Sequence, residues 1–335
     1  MAVINSVAVK RSGIQAGISR FLKTQEALLL LVVIILGCFL GLINRNFLNP
    51  ANLFDLINNH SFLAILAVGV LLVLISGGID ISFMAIASVA QYIMSLQIIS
   101  HGGNMGYAFL IPGCIGAVLG GVNAFFVHLL EAPAIIVTIA TMNIFFGGLL
   151  VLSGGKWLFG FPAWFKPSAT GVLWLPFVVL VLVYVATWFL LNHTKTGRII
   201  YAMGGSGEAA KRVGINILKV RLVVYGFMGF IAGIAATVQA YVIQNISPST
   251  NLGHELDVLA AVVLGGASLS GGKGSVLGTF LGVLIIAMVS NGLILMHISS
   301  YWHTIFIGLI IIVSVSVTAW QRRINEKRSS IINVE

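Results

Sequence analysis

The sequence predicts an all-α membrane protein, a polytopic helical bundle of about ten transmembrane helices with the N- and C-termini cytoplasmic. Three observations carry this. Of the 335 residues, 59% are hydrophobic and only 8% charged, with 38 glycines, a composition that water-soluble domains of this size do not have. Apolar runs of the length needed to cross a hydrocarbon core about 30 Å thick recur from Ala27 almost to the C-terminus. The basic residues, finally, sort to one side of those runs. The alternation of a membrane β-barrel is absent, and the runs are too long for short strands.

Residues 1–25 form a basic segment, with Lys10, Arg11, Arg20 and Lys23 ahead of the apolar run 27–43. No small-x-small cleavage site follows that run, so it reads as an uncleaved first span rather than a signal peptide. The remaining spans fall at 61–76, 82–99, 107–128, 133–152, 172–191, 222–243, 256–267, 276–296 and 302–320. They lie in a membrane domain, 26–320, interrupted by a polar loop at 192–221 and followed by a tail at 321–335. With ten spans and the N-terminus inside, 15 of the 18 Lys and Arg residues lie on the cytoplasmic side, leaving Arg45, Lys156 and Lys166 outside. Loops near membrane ends show this bias when they are cytoplasmic. The weakest span is 256–267, whose 12 residues rise only about 18 Å as a helix. It counts as a span with polar ends, because without it the basic tail would fall outside.

Trp157, Trp164, Trp174, Trp188, Trp302 and Trp320 stand at or near span ends, as interfacial anchors do. Cys38 and Cys114 lie far apart inside apolar runs and read as small core residues. The seven histidines are scattered singly, so no metal centre is expected. The passages 72–95 and 262–290 share a pattern, an apolar run broken at a Gly pair and then resumed. An internal duplication and the common chemistry of Gly-broken hairpins both account for it.

The polar loop holds GGSGEAAKRVGIN, a short helix specified at both ends. Ser206 can act as N-cap. Glu208 suits the first turn, and Lys211 and Arg212 the last. Gly214 stands where a left-handed C-terminal residue belongs. A helix this short is marginal alone in water, so something must hold it. Ala209, Ala210 and Val213, three and four apart, are expected to form a small apolar face able to enter a cleft. A loop that merely fixes topology explains the other basic residues but not the two caps.

Glu208-Ala209-Ala210-x3-Gly214 resembles the EAA-x3-G element of ABC-importer permeases. The surrounding TKTGRIIYAMGGSGEAAKRVGIN looks like the ribose-type sugar permease branch. SGGIDIS at 76–82, GGVNAFF and APAIIVTIATM within 120–142, LSGGKW at 152–157, GHELDVLAAVVLGGASLSGGKGSVLGT at 253–279 and NGL at 291–293 add to the likeness, which covers about residues 45–320. The resemblance implies a permease of the bacterial cytoplasmic (inner) membrane that imports a monosaccharide or related small polar solute. It implies a cytoplasmic ABC ATPase that docks on Ser206, Glu208, Ala209, Ala210, Val213 and Gly214. It also implies an extracytoplasmic or periplasmic sugar-binding protein and a second permease copy, as homodimer or heterodimer. Gly77, Gly78, Asp80, Asn123, Glu255, Asp257, Gly265, Gly266 and Asn291 are the positions it places on the translocation path or its gate. The family usually continues Asp-Leu-Ser-Val-Gly, whereas this chain has Asp80-Ile81-Ser82-Phe83-Met84, with larger side chains where two helices approach.

Two readings of Asp80 stand: it or Ser82 caps the following helix, or it serves gating or the ATPase contact. Glu255 and Asp257 are expected to open the short eighth span on the outer side, within reach of basic groups there. LSGGK at 269–273 could be taken for an ATPase signature, but no GxxxxGK[ST] loop is present and no hydrophilic block could hold a nucleotide domain. No nucleophile–base or paired-carboxylate arrangement can be assembled. The chain is therefore not expected to be an enzyme, to hold a cofactor of its own or to bind nucleic acid, ATP being bound by the partner subunit. An ion-coupled secondary transporter is the alternative. It would call for ionisable groups near the midplane, where the predicted span centres show almost none.

Overall fold

The computed structural model describes residues 24–299, 301–312 and 316. The basic residues of the N-terminal segment, the tail and Trp320 lie outside them. Among the described residues, eight helices are long and apolar enough to cross a membrane, and the only extended pairing is a single antiparallel bridge between Leu158 and Ile246. Apart from a four-residue helix at Pro167–Thr170 and two 3-10 turns, the helices are α1 (Gln25–Ile43), α2 (Pro50–Ile75), α3 (Phe83–His101), α4 (Met105–Leu129), α5 (Ala134–Ser153), α6 (Leu175–His193), α7 (Lys195–Gly205), α8 (Gly207–Arg212), α9 (Ile217–Ile243), α10 (Glu255–Leu264), α11 (Val276–Leu295) and α12 (Tyr301–Ile312).

The centre of the bundle is α2. It begins well before the expected position 61, because Asn49 accepts from the Ala51 amide and Pro50 takes the first helical position, a strong start signal. From Ala64 to Ile75 every residue is buried, as befits a helix that is apolar on all sides. Around it pack α6, α7, α9, α10 and α11, while α1 lies outside against α11. Cys38 and Cys114 are both exposed. They belong to the outer surface of the bundle, not to its core, because α1 and α4 each turn one face away from their neighbours.

The closest crossing joins α4 to α9. A Cβ added at Gly116 would overlap Gly229 O, one at Gly120 would overlap Tyr225 O, and one at Gly233 would overlap Pro112 O. Small residues four apart let two membrane helices meet backbone to backbone where lipid offers no hydrophobic drive. Thr237 Oγ1, donating to Ala108 O at 2.7 Å, pins the same pair further along.

The weak span is the main departure from expectation. α10 has 10 residues, about 15 Å of helix, and cannot cross alone. α9 ends at Ile243 with Gln244 in the left-handed region, and the chain then turns back into the bundle. Asn251 Nδ2 donates to Ser88 Oγ at 3.1 Å and to Gln91 Oε1 at 3.4 Å. Those partners lie about 8 and 12 Å along α3 from Phe83. Irregular backbone at that depth is tolerated only where protein buries it. Residues 244–254 and α10 together thus make one crossing.

Candidate coupling and gating site

On the side that carries most of the basic residues, α6 ends at His193 and the chain turns at once into α7. Thr194 Oγ1 caps it, accepting from Gly197 N at 3.1 Å. The sequence reading missed this helix, although Thr194 followed by Gly197, Ile200 and Met203, all buried, is a legible cap and stripe. After α7 comes the expected short helix, α8. Ser206 Oγ accepts from Ala209 N at 3.2 Å. At the other end Ile215 N bonds Ala210 O and Gly214 N bonds Lys211 O, both at 3.1 Å, with Gly214 at φ +83°. That pair of bonds is a Schellman closure. Glu208 and Arg212 form an exposed i,i+4 pair at 3.9 Å.

The apolar face of α8 differs from expectation. Ala210 is 3% exposed and packs into the bundle's own core, whereas Val213 is 77% exposed. The corrected outward surface is Glu208, Ala209 and Val213; Ala210 anchors the helix from below. Beside α8 opens a cavity of about 730 Å³ whose wall includes Gly77, His128, Glu131, Ser206, Lys211 and Arg221.

Three glycine turns converge under α8. Gly272 N donates to Ile75 O, the last carbonyl of α2, at 2.9 Å. A Cβ at Gly204 would overlap that same Ile75 oxygen and lie 2.6 Å from Gly272 N. A Cβ at Gly271 would lie 2.6 Å from Gly204 O and 2.7 Å from Gly77 Cα. Tyr201 Oη adds a hydrogen bond to Gly274 O at 3.0 Å. The glycines of LSGGK are therefore a backbone joint between the end of α7, the α2–α3 break and the α10–α11 loop.

The two breaks are closed alike. Ser76, Gly77 and Gly78 amides bond Leu72, Leu74 and Val73 carbonyls; Gly265, Gly266 and Ala267 amides bond Ala261, Val263 and Val262 carbonyls. Gly77 and Gly266 are the left-handed residues, at φ +85° and +95°. The resemblance between 72–95 and 262–290 thus extends to backbone geometry.

Neither Asp80 nor Ser82 caps α3 by its side chain. Ser82 makes no cap bond; instead Asp80 Oδ1 accepts from Ser82 N at 2.8 Å and from Ser82 Oγ at 2.6 Å. Asn123 Nδ2 donates to the same hydroxyl at 2.6 Å, and Thr138 Oγ1 accepts from Ile81 N and donates to Ile79 O. Within the turn between α2 and α3, Asp80 and Ser82 form a fully buried polar knot with Asn123 of α4 and Thr138 of α5. Burial pushes the Asp80 carboxyl up to about 6, against the lowering pull of the bonds from Ser82. Phe83 and Met84, the larger residues of this chain, are buried just beyond it.

The other proposed path residues separate. Gly78 packs on Tyr225 Oη, Gly265 on Gly278 and Gly266 on Gln25. Asn291 exchanges amide hydrogen bonds with Asn52, each at 3.1 Å, and ties α11 to α2. Glu255 and Asp257 do open α10, but deep in the bundle rather than at its outer rim, because residues 244–254 have already descended. Asp257 pairs with His254 at 2.9 Å, not with Arg45, Lys156 or Lys166. His254 was not singled out from sequence; its spacing of three from Asp257, on the first turn of a half-helix, was the available signal.

An all-helical multi-pass bundle with paired helix breaks and a capped polar-side helix is the architecture of a membrane transport permease. The chain belongs to the family described as the branched-chain amino acid transport system / permease component, whose model matches residues 52–315. Among curated relatives it is 33% identical over 311 residues to the ribose import permease protein RbsC of Escherichia coli (strain K12), covering 89% of this chain and 94% of that protein. It is 33% identical over 295 residues to RbsC of Bacillus subtilis (strain 168), covering 84% and 91%. It is 30% identical over 294 residues to the autoinducer 2 import system permease protein LsrC of Yersinia pseudotuberculosis serotype O:1b (strain IP 31758), covering 87% and 83%. No solved structure matches the chain.

Proposed function

We propose that this chain is the translocating subunit of an ATP-driven importer for a monosaccharide or similar polyhydroxylated solute. ATP is bound and hydrolysed by a separate ABC ATPase seated on α8, an extracytoplasmic binding protein delivers the solute, and a second permease copy completes the pathway. The permease itself performs no chemistry and holds no cofactor. The ribose and autoinducer 2 permeases among its relatives support the solute class, whereas the family's description names branched-chain amino acids. Near-full-length relatives weigh more here than a family-wide label.

The observation that carries the reading is the joint beneath α8. A helix of 6 residues cannot stand alone in water, yet this one is closed at both ends and rests on the backbone joint that meets both helix breaks. A push on Glu208, Ala209 and Val213 would reach α2–α3 and α10–α11 through glycine contacts that have no side chain to yield. Moving a bundle between two packings from 1:99 to 99:1 takes about 5.5 kcal/mol, which rigid docking of a nucleotide-driven subunit can supply.

The ion-coupled alternative is disfavoured by the relatives and by α8, but not by a lack of ionisable groups. The length of α10, about 15 Å, supports a position near mid-depth for His254, Glu255 and Asp257, where the sequence reading expected almost no ionisable groups. The test is reconstitution in vesicles with the ATPase and binding protein. Uptake should require ATP and collapse in Gly214→Val. Uptake by the chain alone under a proton or sodium gradient would overturn the proposal.

A further inference from the structure

We infer that the entrance to α10 is a solute-contact site, in which His254 and Asp257 bind hydroxyl groups halfway across the membrane. The inference rests on the proposed function and names the place where the solute meets the permease.

Depth comes from two rulers. α10 runs about 15 Å from its break at Gly265 back to Glu255, half of a hydrocarbon core about 30 Å thick. The segment just before it is bonded through Asn251 to Ser88 and Gln91 in the interior of α3, and Gln91 Nε2 in turn bonds Gln239 Oε1 at 2.9 Å. At this depth the His254 side chain is 61% exposed and Asp257 13% exposed. An ionic pair open to lipid at mid-membrane is costly, and such groups face the bundle interior or a water-filled cavity. The open side of this pair is therefore aqueous.

The chemistry suits a polyol. An ionised Asp257 cannot donate, so Nδ1 of His254 carries the proton of their 2.9 Å bond and Nε2 is left for a ligand. Asp257 Oδ1 offers a second acceptor. Glu255, 8% exposed, keeps Oε1 without a hydrogen-bond partner among the described residues. Acceptors on two side chains joined by that bond can take neighbouring hydroxyl groups, which an apolar cargo lacks. Leu252 and Leu256, 47% and 58% exposed, flank the pair and can cover the carbon face of a sugar ring.

The test uses the full permease reconstituted with its ATPase and binding protein, after Cys38→Ser and Cys114→Ser remove the native thiols. A reporter, Leu252→Cys, should react with a membrane-impermeant thiol reagent added to the aqueous phase. Failure to react, or a spontaneous disulfide between two permease copies, would place the segment against lipid or in a copy-to-copy contact and overturn the inference. Asp257→Asn and His254→Ala should lower ATP-driven uptake of radiolabelled ribose at least tenfold while ATP hydrolysis stimulated by the binding protein stays within twofold of the parent. Equal loss of uptake and hydrolysis, or no loss of uptake, would also overturn it. If the parent takes up no ribose with ATP, the proposed function fails instead, and the labelling result still decides the depth and wetness of the site.

Discussion

Replacing Gly204 by alanine places a methyl group on the hydrogen bond that joins Gly272 N to Ile75 O. The new Cβ would overlap the Ile75 oxygen and lie 2.6 Å from the Gly272 nitrogen, so α7 must lift away or the 2.9 Å bond must open. Leaving those backbone groups unpaired costs about 1–3 kcal/mol, and forcing apart a packed contact typically costs about 1–3 kcal/mol more. Alanine's advantage over glycine in a helix returns only about 1 kcal/mol. The clash wins. Gly205→Ala is the matched control, one residue further along α7, where an added Cβ meets nothing within 4 Å; it should gain the helix preference and lose nothing. The assay is the thermal midpoint of the purified permease in one detergent, read beside ATP-driven uptake in vesicles. Gly204→Ala should lower the midpoint and reduce uptake severalfold, while Gly205→Ala leaves both unchanged or slightly improved. If the two variants behave alike, the backbone joint does not govern coupling and the reasoning is refuted.

Gly214→Val forces a β-branched residue to φ +83°, a strain of about 1–3 kcal/mol. With open space around it, Gly214→Asn should restore much of the uptake that valine removes. Ser206→Ala deletes the α8 cap, worth about 1 kcal/mol, and should weaken co-purification of the ATPase without changing the amount of permease inserted. Asp80 titrates near 6 in the folded protein against 3.8 for the free group; because the folded value is raised, its contribution to stability is complete below about pH 4 and is lost as pH climbs through 6. Thermal midpoints should accordingly fall between about pH 4 and pH 6 and level off above that, and Asp80→Asn should flatten that slope. An unchanged slope in the variant would show that another group sets it.

Most of the bundle is legible in the sequence because apolar length is a local property. The caps of α8, Ser206 and Gly214, are likewise local, and both hold. What sequence reasoning missed depends on tertiary partners. Ala210 looks interchangeable with Ala209 on a helical wheel, and only the neighbouring core decides which of them turns inward. Asp80 has the spacing of a cap, but Asn123 and Thr138, from two other helices, draw Ser82 and the preceding turn into a different network. The crossing at 256–267 was read as a whole helix because hydropathy cannot separate a full span from a half-helix joined to buried irregular chain. Asn251 supplies the bonds that make that descent possible, and nothing in its own surroundings in the sequence advertises them.

The glycine-lined crossing of α4 and α9 sets where deformation can occur. Two helices of 25 and 27 residues that touch through main chain cannot slide or roll without severe overlap, so together they behave as a single stiff strut running the depth of the molecule. Asn216, which caps α9, follows α8 after only three residues, so the strut is hung directly from the exposed peg. Displacement of the peg would then tilt the strut as a whole, and its far end would swing over residues 244–254.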